Sequence, residues 1–157
     1  MEKKRKKKHT SYPSDQDSVA LAHEAMVHYG VLSNDPVALL INSKHGLNAK
    51  AALDFIALSG FTYEEFQETF KTTVKTIQNY AVQDLKLDAP LSEKLLKSFA
   101  LFHKGTEIFG SVKAFTEWLN TSSVGLGNQI PFDLMDTITG IDLIEEELIR
   151  IEYGALA

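Results

Sequence analysis

The chain has 157 residues, of which 44% are hydrophobic and 24% are charged, with no cysteine and a formal net charge of −5. The absence of cysteine excludes disulfides and thiolate metal sites, and the length suits one hydrophobic core or two small cores that share an interface. No apolar run reaches the roughly 20 residues that span a bilayer, and no apolar stretch follows the basic N-terminus as in a secretory signal, so we expect a cytoplasmic globular protein.

The charge is distributed unevenly along the chain. Residues 1–8 carry six cationic side chains and one anionic one, a net charge of +5, which leaves −10 for the remainder. We predict a disordered basic tail over residues 1–16, which is either a solvated end or an arm that tracks phosphates and adds salt-sensitive affinity. Because the rest is acidic, nucleic-acid binding has to come from this tail or from a local patch.

Residues 17–47 are predicted to form two N-terminal helices. The first starts near Asp17 and is stopped by Gly30. The second begins at the Asp35-Pro36 pair, a cap followed by a proline in the first turn, and ends before Gly46.

Residues 48–91 have the layout of a helix-turn-helix domain. After a helix that Gly60 stops, Thr62 and Glu65 are spaced as a capping box, and a break at Lys71-Thr72 precedes a second short helix. That helix is capped by Thr73 and should direct Ile77 and Tyr80 inward. Its exposed positions, which would face the major groove, are Thr73, Val74, Lys75, Gln78 and Asn79. We assign DNA binding to Thr73, Lys75, Gln78 and Asn79, since these side chains reach base edges or phosphates.

Residues 92–157 begin with a long helix and continue as shorter helical segments. Gly110 ends the long helix, and Gly105 inside it marks either close backbone approach or a frayed link. Further on, Pro131 starts a helix, Gly140 ends it, and Asp142 starts the last one. The apolar stripe of the long helix comprises Leu95, Phe99, Phe102, Thr106 and Phe109.

This C-terminal pattern resembles the toxin-binding domain of Xre/MbcA/ParS-type antitoxins from type II toxin–antitoxin systems. The residues that carry the resemblance, in the family's order, are Ile108-Phe109-Gly110, Trp118-Leu119, Leu126-Gly127, Pro131-Phe132-Asp133-Leu134, Thr137, Gly140 and Arg150-Ile151-Glu152-Tyr153-Gly154.

Residues 62–80 are similar to the Xre-like helix-turn-helix. Three features depart from that pattern: Lys71 stands where the family often has a glycine, Thr72 replaces a small aliphatic residue, and Lys75 is the one basic residue on the second helix. The expected fold is therefore all-α, with a helix-turn-helix domain joined by a long helix to a small toxin-binding domain.

The resemblance implies a set of toxin contacts near the end of the chain. Arg150 and Tyr153 would form a prong that enters the toxin, while Trp118 is either core or a partner-facing anchor. Glu145, Glu146 and Glu147 look like a solvated face, with an ion pair from Glu146 to Arg150. The assigned toxin-binding residues are Trp118, Leu126, Pro131, Glu147, Arg150, Tyr153 and Gly154.

Catalytic and metal chemistry find little support in the sequence. The five histidines are scattered without ligand spacing, and Gly125-Leu126-Gly127-Asn128 lacks the frame and the Lys-Ser/Thr of a phosphate loop. We expect a protein that is not an enzyme and that holds no metal or cofactor.

By resemblance, the protein is an antitoxin that covers the active site of a toxin with a RES-type or ADP-ribosyltransferase-like fold that uses NAD. It would be a homodimer and would repress its own operon by binding operator DNA. Two alternatives stay open: a stand-alone transcription regulator with a C-terminal dimerisation domain, and a protein-interaction module without DNA binding.

Overall fold

The computed structural model describes residues 15–154, except for the side chains of residues 15–19 and 22. Residues 1–14, most of the predicted basic tail, and residues 155–157 lie outside the described part. The described residues form an all-α structure, as predicted. The helices are α1 (Asp15–Val31), α2 (Pro36–His45), α3 (Lys50–Ser59), α4 (Tyr63–Phe70), α5 (Val74–Val82), α6 (Ala89–Phe109), α7 (Val112–Leu119), a 3-10 turn (Val124–Leu126), α8 (Pro131–Leu134) and α9 (Ile138–Glu152).

The long helix α6 is the central element. Its N-cap Asp88 accepts a hydrogen bond from the amide of Leu91, and Gly110 ends it in the left-handed conformation with φ 87°. Helices α1, α2, α7 and α9 all pack against it. Of the predicted stripe, Leu95, Phe99 and Phe102 are fully buried.

A cluster of aromatic rings joins α6 to the helices on either side of it. The Phe55 ring on α3 meets Phe99 and Phe102 of α6 edge-on, with centroids 5.3 and 5.2 Å apart. Phe102 in turn meets Phe115 of α7 at 5.1 Å. The buried residues therefore form one continuous core that runs from α1 to α9.

Gly105 permits the close approach of α6 and α7. A Cβ at this position would overlap the ring of Phe115, and the helix continues unbroken through it. Of the two predicted explanations for Gly105, close backbone approach is the correct one.

Four predicted helix boundaries differ from the structure. Helix α1 begins at Asp15, inside the predicted tail, and it continues through Gly30 to Val31, because Gly30 does not adopt the left-handed backbone that ends a helix. Gly140 and Asp142 do not separate two helices, since α9 begins at Ile138 with Thr137 as its N-cap. Gly140 lies in the first turn of α9, where a Cβ would overlap the carbonyl oxygen of Leu134.

Within residues 15–154, no helix is both long enough and apolar enough to cross a membrane.

Candidate functional site

The end of α9 presents the predicted prong on a well-anchored helix. Thr137 caps the helix by accepting a hydrogen bond from the amide of Gly140 at 2.9 Å, and Ile144 and Leu148 are buried against the core. Beyond the last turn, Tyr153 is 81% exposed. The helix is therefore fixed along its inner face while its C-terminal end faces solvent.

Glu147 is buried, although the sequence places it on a solvated face and among the toxin contacts. Its side chain is 0% exposed. One carboxylate oxygen accepts a hydrogen bond from the Ser123 hydroxyl at 3.2 Å, and the other accepts one from Arg150 Nε at 2.7 Å. Arg150 thus pairs with Glu147, not with Glu146 as predicted. The reason is tertiary: residue 147 follows Ile144 on the inner face, and the turn after α7 supplies its polar partner.

The turn between α7 and α8 closes over this carboxylate. A Cβ at Gly125 would overlap both carboxylate oxygens of Glu147, so the absence of a side chain lets the turn lie directly on the acid. Arg150 Nη2 reaches back to the carbonyl oxygen of Gly125 at 3.4 Å. We refer to Ser123, Gly125, Glu147 and Arg150 together as the clasp.

The outer edge of the clasp is cationic and flanked by apolar groups. The Arg150 side chain is 43% exposed, although its charge is paired with the buried Glu147. Val124, next to Gly125 in the turn, is 78% exposed. The Tyr153 ring, three residues after Arg150, is also uncovered. A planar cation together with these two uncovered side chains is a surface suited to contact with another macromolecule.

The other predicted toxin contacts differ in how far they are exposed. Leu126 and Pro131 are buried in the free chain, Leu126 in the turn after α7 and Pro131 at the start of α8. Trp118 is partly buried and stacks on Phe109 with ring centroids 5.4 Å apart, so most of its ring belongs to the core. Gly154 is exposed and left-handed, with φ 69°.

The residues predicted to bind DNA are all exposed, three of them on α5 and one at its N-cap. They are Thr73, Lys75, Gln78 and Asn79. Val74, predicted to be exposed with them, is only 4% exposed and packs inward beside Ile77. Tyr80, predicted to point inward, is 39% exposed. Both errors have one cause: α5 is packed through residues 74 and 77, which turns residue 80 to the edge of the contact.

The turn before α5 has a left-handed backbone at Lys71, a conformation that favours glycine. Lys71 is left-handed, with φ 57°, and its amide donates to the carbonyl oxygen of Gln67 at 2.9 Å. The lysine therefore keeps the tight turn at some cost in backbone strain.

The capping box at Thr62 and Glu65, at the start of α4, is present as predicted, with hydrogen bonds of 2.8 and 3.1 Å.

A cleft of about 790 Å³ separates α5 from the segment that joins α8 to α9. Lys94 crosses its base, where the ammonium donates to the carbonyl oxygens of Thr69 and Asp136. Burial lowers the pKa of Lys94 below its ordinary value. Lys71 faces Asp136 at 3.7 Å, and Lys86 donates to His45 O at 3.3 Å. The lysines of this cleft are engaged with acceptors of the chain itself. Lys71 and Lys94 connect α4 to the segment after α8, and Lys86 connects the segment after α5 to the end of α2.

Comparison with known proteins identifies one family. Residues 104–154 match the family described as the antitoxin Xre/MbcA/ParS C-terminal toxin-binding domain. The match runs from the last turns of α6 to Gly154 and includes the whole clasp. No curated protein matches the chain.

Proposed function

Residues 104–154 are a toxin-binding domain of the Xre/MbcA/ParS antitoxin family, and from this premise we propose that the protein neutralises a toxin by covering its active site. The toxin is directed at NAD and has a RES-type or ADP-ribosyltransferase-like fold. The covering element is the exposed end of α9, with Arg150 and Tyr153 as the prong. The observation that carries this proposal is a paired but half-exposed guanidinium beside an exposed phenol ring on a helix end that is otherwise anchored.

The chemistry of this surface suits a pocket that receives NAD. Such a pocket has to accept a positively charged pyridinium ring and a neutral aromatic base. The guanidinium of Arg150 is a planar, delocalised cation that stacks and donates hydrogen bonds, and the ring of Tyr153 is an aromatic group of similar breadth. The prong therefore offers the pocket the same combination of cation and ring, so that it competes with the dinucleotide.

The test is neutralisation of the protein encoded by the adjacent reading frame. We expect the chain without its last eight residues, and the full-length double variant Arg150→Ala/Tyr153→Ala, to lose protection in a co-expression growth assay. The double variant should bind the purified partner at least ~30-fold more weakly in calorimetry, since an arginine and a tyrosine at an interface centre are typical hot spots.

The matched control is the double variant Lys113→Ala/Tyr63→Ala, which removes an exposed cation on α7 and an exposed tyrosine on α4. It should neutralise as well as the unchanged chain. Full protection by the Arg150→Ala/Tyr153→Ala protein would exclude the prong.

We also propose that α5 binds operator DNA and so lets the antitoxin repress its own operon. The supporting observation is that Val74 and Ile77 are buried while Lys75, Gln78 and Asn79 are exposed on the same helix. Glutamine and asparagine can pair with adenine in the major groove, and a lysine can contact guanine or phosphate.

Replacing Lys75, Gln78 and Asn79 with alanine should remove the gel shift of promoter DNA and leave toxin binding unchanged. The control replaces Gln67 and Glu68, two exposed residues of α4, with alanine. If the α5 variant shifts the DNA normally and deletion of residues 1–16 abolishes the shift, the basic tail carries the binding instead.

Homodimer formation and a cytoplasmic location complete this proposal. A stand-alone regulator is the alternative, and it differs in one measurable respect: its C-terminal domain would bind a second copy of itself and no product of a neighbouring gene. Co-purification with the neighbouring gene product, monitored by light scattering, distinguishes the two.

A further inference from the structure

We infer that Glu147 is a positioning residue for the partner-binding surface: it holds Arg150 so that the guanidinium edge is oriented before the partner arrives, and that edge receives a carboxylate of the partner. This inference rests on the proposed function for the identity of the partner. The orientation itself is a property of the isolated chain.

The first support is the direction of each hydrogen bond in the clasp. Glu147 is buried and accepts from Ser123 on one oxygen and from Arg150 Nε on the other. A long side chain on a helix surface ordinarily samples many rotamers, and losing that freedom on binding weakens a complex. In the free protein, Glu147 fixes the rotamer of Arg150, and Ser123 holds Glu147 through its other carboxylate oxygen.

The second support is the number of donors that remain. A guanidinium has five N–H donors. The Nε–H is bound to Glu147 and one Nη2–H is bound to Gly125 O, at 2.7 and 3.4 Å. Among the described residues no further acceptor contacts Arg150, and its side chain is 43% exposed. The remaining three donors, two on Nη1 and one on Nη2, are available to the oxygens of a carboxylate.

The third support is Gly125, which explains how the carboxylate can be so close to the turn. Any side chain at this position would displace the two oxygens of Glu147. Gly125 has no left-handed backbone that would itself require glycine. Its role is therefore steric, and it joins the turn that carries Val124 to the helix end that carries Tyr153.

A variant that separates positioning from folding is Glu147→Met. Methionine fills a buried site of similar volume without polar partners, and Arg150 can turn to solvent, so that no buried charge is left unpaired. Glu147→Gln keeps an oxygen that accepts from Arg150, so its effect should lie between that of the unchanged chain and that of Glu147→Met. The matched control is Glu146→Met, which makes the same change at the exposed neighbouring position.

Orientation of Arg150 is measurable in the free chain without any partner. The sequence has two arginines, Arg5 and Arg150, so the side-chain Nε spectrum contains two signals, and Arg150→Lys assigns them. We expect the steady-state ¹H–¹⁵N NOE of Arg150 Nε to fall in Glu147→Met and in Gly125→Ala, to fall less in Glu147→Gln, and to stay unchanged in Glu146→Met. An unchanged NOE in both Glu147→Met and Gly125→Ala overturns the inference.

The second measurement is affinity for the protein encoded by the adjacent reading frame, in a double-mutant cycle. We expect Glu147→Met to bind about three- to tenfold more weakly, the loss that follows from releasing one or two side chains. In an Arg150→Ala background the same substitution should have no further effect, because Glu147 acts through Arg150. Additive losses would overturn the positioning role.

The failure of this inference and the failure of the proposed function give different results. If Arg150→Ala abolishes binding and Glu147→Met does not weaken it, the prong stands and the positioning role is overturned. If Arg150→Ala leaves binding unchanged, the proposed contact surface fails, and with it the role of Glu147 in binding, whatever the NOE shows.

Discussion

The α4–α5 region and the α8–α9 region use polar residues in different ways. In α4–α5 the hydrogen bonds that cap the helices are local: the capping box joins residues 62 and 65, and Thr73 caps α5 by accepting from the amide of Thr76. In α8–α9 the decisive contacts join residues far apart in the sequence, such as Glu147 with Ser123. The first region is stabilised by capping interactions within each helix, and the second by tertiary contacts between separate segments.

This difference between local and tertiary contacts explains why the exposure of polar residues is predictable from the sequence on α5 but not on α9. On α5 the exposed polar side chains can be identified from helical periodicity, because one packed stripe leaves the rest to solvent. On α9 residue 147 lies on the packed face beside Ile144, and its charge alone suggests exposure; the turn after α7 covers the carboxylate and supplies a hydroxyl. Burial of a charge requires such partners, and these come from another part of the chain.

The largest expected effect tests the close fit of α8 on α9. Gly140→Ala forces a Cβ against the carbonyl oxygen of Leu134, so the two helices have to separate. We expect the free energy of unfolding to fall by about 2–3 kcal/mol, the range for overpacking at a rigid contact. Urea denaturation followed by circular dichroism measures it.

The control for this substitution is Gly30→Ala in α1, where nothing lies within 4 Å of the added Cβ. Because Gly30 has a helical backbone, alanine should stabilise the protein there by up to about 1 kcal/mol. Equal stability changes in the two variants would show that helix propensity, not the contact with Leu134, governs Gly140.

The sequence was sufficient for the all-α class, for α6 with its buried stripe, and for the caps at Asp35, Thr62 and Thr73. These features depend on residues three or four positions apart. It was insufficient for the start of α9, since Asp142 and Thr137 are both acceptable caps and only packing against Leu134 selects between them. It was insufficient for the clasp, since no local pattern pairs Glu147 with residues 123 and 125.

An intermediate effect tests the corrected start of α9. Thr137→Ala removes the hydroxyl that accepts from the amide of Gly140, and we expect a loss of about 1 kcal/mol in the free energy of unfolding. Asp142→Ala removes only a partly exposed ion pair with Lys97, worth about 0.5 kcal/mol or less. The reverse order in urea denaturation would restore Asp142 as the helix start.

The smallest effect on stability is expected for a partly exposed hydrogen bond between two residues that are far apart in the sequence. The hydroxyl of Tyr29 on α1 donates to Asp54 of α3 at 2.8 Å. Burial, and then the hydrogen bond to Asp54, raises the pKa of Tyr29 above its ordinary value of 10.0. Because this bond is partly exposed, Tyr29→Phe should cost only about 0.5–1 kcal/mol at neutral pH.

The pH dependence of stability tests whether the contact of Tyr29 with Asp54 follows the pKa of the phenol. Above about pH 10 the unfolded chain loses the phenol proton while the folded chain retains it, so the contribution of Tyr29 to stability falls as the pH rises. The difference in unfolding free energy between the unchanged chain and Tyr29→Phe should therefore shrink between about pH 8 and about pH 11. Tyr63→Phe, at an exposed tyrosine of α4, should give a difference near zero throughout. A Tyr29 difference that stays constant with pH would mean that folding does not raise the pKa of this phenol. If Tyr29→Phe lowered the free energy of unfolding as much as Gly140→Ala does, the strength of a contact would depend on the sequence separation of its residues and not on their burial.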